Sequence, residues 1–106
     1  MLLSPLSASR MSDTPAVTLN AAANRFEIAT PSGKAVLKFE GVGDTIDLQH
    51  TSVPDALKGG GYGSALARAA LAHAREKHLK VIPTCEFVRA FMARHKEYDD
   101  LRATKT

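Results

Sequence analysis

From Arg25 onward the apolar and polar residues follow two distinct periods. In "RFEIAT" Phe26 and Ile28 alternate with Arg25 and Glu27, and in "KAVLKFE" Ala35, Leu37 and Phe39 share a face that excludes Lys38. "TIDLQHTSV" repeats the pattern, with Ile46, Leu48 and His50 alternating with Asp47, Gln49 and Thr51. A period of two marks strands with one buried face. The intervening "PSGK" and "GVGD" are turn sequences, in which Pro31 fixes one backbone angle and Gly33 permits a left-handed one. Together they predict an antiparallel meander of three strands.

After a glycine-rich loop the period changes. From Tyr62 to about Lys77, Leu66, Ala67, Ala70, Leu71 and Ala74 fall within one arc of a helix, with Ser64, Arg68, Arg75 and Glu76 opposite. "LKVIP" then reads as a short strand ended by Pro83, and "CEFVRAFMARH" as a second helix whose buried stripe is Phe87, Val88, Phe91 and Met92. The order β-β-β-α-β-α predicts an α+β, or mixed α/β, domain: a small, mostly antiparallel twisted sheet carrying helices. The first helix makes the crossover from the third strand to a parallel neighbour.

Upstream, Met1 to Ala22 is rich in Ser, Ala, Pro and Thr without sustained periodicity. The expectation is a flexible tail over residues 1–22 and one domain over residues 23–106. The opening segment has no basic start and is broken by Ser4 and Pro5, a poor signal peptide, and Met11 is an alternative start. With 106 residues, 44% of them hydrophobic and 24% charged, the chain has room for one modest core and none for separate cofactor and substrate domains. No apolar run reaches the ~20 residues of a membrane span. The net charge of +3 comes from scattered cations, so nucleic acid is not an expected partner. A single cysteine, Cys85, excludes an internal disulfide and a cysteine-rich metal site, and suggests a reducing, cytoplasmic setting.

The densest chemical signal is "VPDALKGGGYGSAL". A dinucleotide fingerprint fails, because counting from Gly59 and Gly61 its last glycine falls on Ser64, and no Gly-Lys-Ser/Thr supplies a phosphate-binding nucleotide loop. What remains is a strand, a lysine and clustered glycines running directly into a helix. Backbone N–H groups at such a helix start, unobstructed by β-carbons, form a cradle for phosphate oxygens. Close packing of the helix on the sheet is the other use such glycines have.

This run, followed by "VIPTCEFV" and "RHKEYDDL", resembles the coenzyme A loop of the GNAT-type N-acetyltransferase superfamily, in its compact, stand-alone branch. The likeness spans Arg25 to Leu101. The family pattern Arg/Gln-x-x-Gly-x-Gly/Ala falls on Lys58, Gly61 and Gly63, with Lys58 keeping the charge of the usual arginine but not its planar fork.

The resemblance implies a GNAT-like fold, acetyl-coenzyme A as cofactor, and transfer of acetyl to an amine on a small molecule or protein. It implies a pyrophosphate held by Lys58, Gly59, Gly60, Gly61, Tyr62, Gly63 and Ser64, and a pantetheine arm beside Thr51 to Val53. The chain is too short for the extra elements that shape an acceptor pocket in longer members. A non-catalytic coenzyme-binding or protein-interaction module retaining the GNAT core is therefore the alternative, and in either case a monomer or homodimer is expected. His50 and Cys85 are the candidate catalytic residues. An imidazole exchanges protons near neutral pH, and a thiol opening a helix sits where the dipole favours a thiolate. Each also has a structural reading, His50 as a hydrogen-bonded residue on the core side and Cys85 as small apolar filler. Arg94, His95 and Lys96 are candidates for the coenzyme's 3′-phosphate.

Overall fold

The computed structural model describes residues 16–103. Five strands form one sheet in the order β1-β2-β3-β4-β5: β1 Thr18–Asn20, β2 Arg25–Thr30, β3 Gly33–Val42, β4 Thr45–Ser52 and β5 Lys80–Ile82. The first four pair antiparallel, and β5 lies parallel to β4. Two helices, α1 (Tyr62–Glu76) and α2 (Glu86–Arg94), complete the domain, and α1 is the crossover that joins the parallel pair.

The alternation read from the sequence fixes which face is buried. Phe26, Ile28, Ala35, Leu37, Ile46 and Leu48 are at most 3% exposed, and α1 packs across β2, β3, β4 and β5 on that side. Ala67, Ala70 and Ala74 are fully buried beneath α1, where their small side chains let the helix approach the strands. Val88, Phe91 and Met92 of α2 close the core over β4 and α1. No polar or charged side chain is buried among the described residues, so this core is held by apolar packing.

Two expectations change. Structure begins before the expected boundary, because β1 and the start of a 3-10 turn over Ala21–Ala23 lie within the segment read as a tail. β1 shows no alternation because it is three residues long and none of them is buried. It is tied down through Asn20, whose side chain accepts from the Ala23 N–H and donates to Glu27. The remainder of the expected tail, with Met11, lies outside the described residues. Secondly, Arg75 does not simply face solvent. Its guanidinium donates to both carboxylate oxygens of Asp100 and to the Glu97 carbonyl, and its hydrogen bonding holds the Asp100 carboxyl below its usual range. Lys80 donates to the Asp100 carbonyl, and the Ala103 N–H donates to the Val81 carbonyl, so the segment from Asp100 to Ala103 is strapped along the outer edge of β5.

Helix α1 ends in a left-handed turn, with the Leu79 N–H returning to the Ala74 carbonyl at 2.8 Å. Glycine normally occupies the turning position, but here it is His78, at φ 59° and exposed. Replacing His78 by glycine is expected to raise the unfolding free energy by about 0.5–1 kcal/mol, since the relief of the β-carbon clash exceeds glycine's entropic penalty. Urea unfolding of parent and variant measures the difference.

Candidate functional site

β4 and β5 stay paired for only three residues, Thr45↔Lys80, Ile46↔Val81 and Asp47↔Ile82. Pro83 follows, unable to donate to a ladder. The chain then turns outward, pinned by the Cys85 N–H on the Leu48 carbonyl at 2.8 Å and by Thr84 Oγ1 donating to Asp47 at 2.6 Å. Beyond that point β4 runs on to Ser52 with no strand on its β5 side, and a gap opens between its end and the start of α2.

A bulge in β4 shapes this gap. Lys38 pairs with His50, but the next residue of β3, Phe39, pairs with Leu48, so Gln49 is an extra residue on β4. The insertion reverses the alternation beyond it. His50 therefore does not join Ile46 and Leu48 on the core face: it is exposed, opposite Lys38 on the sheet face that carries no helix. Thr51, expected on the outer face, instead pairs with the buried Leu37 and points inward. Its Oγ1 lies 3.3 Å from Cys85 Sγ, and Cys85 is 8% exposed. The sheet thus separates the two candidate catalytic residues, leaving Cys85 on the helix side and His50 on the open side.

The gap continues into a groove of ≈ 320 Å³ lined by Thr51, Val53, Leu57, Lys58 and Phe87 and by the loop residues Gly59, Gly61, Tyr62, Gly63 and Ser64. Eight of the nine residues expected at the coenzyme line it; the ninth, Gly60, lies beneath the Tyr62 ring, where a β-carbon would come within 2.6 Å of Cε2. Gly59 and Gly61 have φ of 87° and 80°, in the left-handed region where a side chain is strained. Gly61 is the N-cap of α1 and brings no side-chain cap, and the helix's own bonding begins with the Ala65 N–H on the Gly61 carbonyl. The N–H groups of Tyr62, Gly63 and Ser64, in the first turn, are left without intrahelical acceptors. Uncapped donors, the positive end of a fifteen-residue helix and a lysine on the rim give this end of the groove the donors and positive potential that suit an anion. Lys58 is exposed and lies 3.4 Å from Asp55, so its charge is shared with that carboxylate.

Two lining residues, Leu57 and Phe87, are not among those expected at the coenzyme. Leu57 follows from the 3-10 turn Asp55–Leu57, which folds the chain back under the loop. Phe87 was expected in the buried stripe, but it is 37% exposed and its ring lies over Gly63. Arg94, His95 and Lys96 are outside the groove. His95 stacks on Phe91 at 4.1 Å between ring centres, and its Nδ1 lies 2.8 Å from the Phe91 carbonyl. No group of three or more potential metal ligands is assembled among the described residues.

The family model for GCN5-related N-acetyltransferases matches residues 25–101, from the start of β2 to the turn that Arg75 straps in place. The chain belongs to that family. Within the GCN5-related fold, a protein from Staphylococcus aureus described as GCN5-like, solved in solution by NMR, superposes with a TM-score of 0.67 at 28% identity. The match covers 88% of this chain and 92% of that one. Protein NATD1 of Xenopus tropicalis is 45% identical over 60 residues, covering 56% of this chain and 55% of its own length. Protein NATD1 of Homo sapiens is 47% identical over 60 residues, 56% of this chain and 53% of its own. The match to these curated relatives spans about half their length. The expected GNAT fold is thereby established, with one strand more than the sequence pattern revealed. Among the described residues no helix is long and apolar enough to cross a membrane.

Proposed function

We propose that the chain binds acetyl-coenzyme A with its pyrophosphate on the first turn of α1, and passes the acetyl group to an amine on a small molecule or a protein. The observation that carries this reading is the uncapped helix start, whose Tyr62, Gly63 and Ser64 N–H groups front a groove that runs to Thr51, beside Cys85. Bound there, the coenzyme supplies an acetyl thioester: a neutral amine forms the new C–N bond, the C–S bond breaks, and coenzyme A leaves as the thiol after its sulfur takes a proton.

The chain's own residues divide the work by position. The three N–H donors and Lys58 bind and orient the anion. The edge of β4 at Thr51 and Ser52, continued by Val53 and left unpaired by β5, offers backbone groups to an extended amide-bearing arm. Cys85, against Thr51, serves the coenzyme side, as the proton donor to the departing sulfur or as the nucleophile that carries acetyl before the amine takes it. His50 serves only an acceptor that arrives across the open face of the sheet, where it takes the proton of an incoming ammonium. The single free cysteine accords with a reducing, cytoplasmic location.

Release of free thiol from acetyl-coenzyme A, measured across a panel of amines together with the intact protein mass, tests the reading. The expected result is amine-dependent thiol release. A one-acetyl adduct on the parent, absent from Cys85→Ala, marks the covalent route, and turnover without the adduct marks direct transfer. Saturable coenzyme binding with no turnover on any amine would instead make the domain a binding module.

A further inference from the structure

Phe87 is out of place for a large apolar residue. Val88, Phe91 and Met92 on the same helix are buried, yet Phe87, the second residue of α2, keeps 37% of its surface exposed. Its ring is spread over the first turn of α1: a β-carbon added to Gly63 would stand 3.0 Å from Phe87 Cζ and 3.2 Å from Cε2. Gly63 therefore does more than leave its N–H accessible, because its bare α-carbon is the seat of that ring. An exposed aromatic face on a concave wall is a mark of a ligand surface.

The groove has two chemistries, and Phe87 stands between them. At one end are the Tyr62, Gly63 and Ser64 N–H groups with Lys58, which recognise an anion whatever is attached to it. Towards the other lie Val53 and Thr51, the latter touching Cys85. Phe87 is two residues from Cys85 in the chain and in contact with Gly63 in space. A ligand that stops at the pyrophosphate uses only the first end, whereas one that continues towards Cys85 passes the ring.

We infer that Phe87 is the specificity-determining residue that selects a pantetheine-bearing coenzyme over a plain nucleotide diphosphate at this loop. The inference rests on the coenzyme reading of the groove. The ring is an apolar rest for the arm, and what it adds to binding is the burial of its exposed face, which the nucleotide cannot supply. Removing it loses about tenfold in affinity for the arm-bearing ligand alone.

Calorimetric titration of the parent, Phe87→Ala and Phe87→Leu with coenzyme A, with adenosine diphosphate and with pantetheine tests this. Coenzyme A is expected to bind Phe87→Ala about tenfold more weakly than the parent, with Phe87→Leu between them and adenosine diphosphate binding unchanged. Equal losses for coenzyme A and adenosine diphosphate would overturn the inference, since the ring would then only hold the first turn of α1 in shape. So would unchanged binding of both ligands. If the parent itself binds coenzyme A no better than adenosine diphosphate, the coenzyme reading fails beneath it. Thermal unfolding of each variant establishes that the titrated protein is folded, and Phe87→Leu, which keeps a branched apolar side chain, carries the comparison should Phe87→Ala not fold.

Discussion

Replacing Gly61 by glutamate is expected to weaken coenzyme A binding by 100-fold or more, on the order of 3 kcal/mol, while the domain remains folded. Gly61 is the N-cap of α1 at φ 80°, and a β-carbon there meets no atom within 4 Å. Strain is therefore confined to the backbone, roughly 1–2 kcal/mol for a left-handed residue. Part of that is returned, because a carboxylate at the start of a helix accepts from its free N–H groups. The same bonding would disable the proposed site: the donors assigned to pyrophosphate acquire an internal acceptor, and its negative charge repels the ligand. Gly61→Ala carries the strain without the charge and is expected to retain most of the affinity. Calorimetry of the two variants separates the effects, and coenzyme binding by Gly61→Glu at parental strength would place the anion elsewhere.

Deleting Gln49 is expected to leave stability within about 2 kcal/mol of the parent, and to lower coenzyme A affinity at least tenfold. The deletion removes the extra residue but preserves the facing of its neighbours. Leu48 and Thr51 would then alternate regularly about His50, so the core keeps its contacts and His50 remains outside. What is lost is the bend a bulge introduces, which helps to carry the end of β4 away from the line of β5. A straightened β4 narrows the gap that the groove occupies. Denaturant unfolding and coenzyme titration of the same sample decide it, because a large fall in stability with unaltered affinity would make the bulge a packing feature only.

That bulge also marks the limit of what the local sequence of β4 encodes. Up to Leu48 the alternation is unambiguous, because the inward residues are Ile and Leu and the outward one is Asp. Past it, "QHTSV" holds one apolar residue, and His50 continues the period of two as well as any rule allows. The break is imposed by pairing with β3, where Leu37 must face inward and brings Thr51 with it. No local preference encodes that. Phe87 failed differently, since a nine-residue helix defines its apolar arc loosely and Phe87 lies at the arc's margin. It took the neighbouring helix, with a glycine at the point of contact, to draw the ring out of the core.

The elements that were legible are those in which local and tertiary demands coincide. The stripe of α1 from Leu66 to Ala74 was assigned correctly because periodicity, helix propensity and burial select the same face. The glycine loop is legible as a backbone feature because the requirement for φ near 80° at Gly59 and Gly61 leaves few residue types able to occupy it. β1 is not visible in the sequence because three unburied residues carry no pattern, and only their antiparallel pairing with β2 makes them a strand.

The strap along β5 bears on how the domain behaves in a crowd. A sheet can recruit a foreign strand at either margin, and that is the usual start of domain exchange and aggregation. Here the Ala103 N–H occupies the Val81 carbonyl, and the turn held by Arg75 and Lys80 fastens that blocking segment in place. Among the described residues, the opposite margin is β1, whose three residues present few groups for another chain to copy. Apart from the short edge that β4 leaves open beyond Asp47, the described domain is thus poorly templated for growth in either direction, and cutting the strap would leave β5 the more exposed of its two margins.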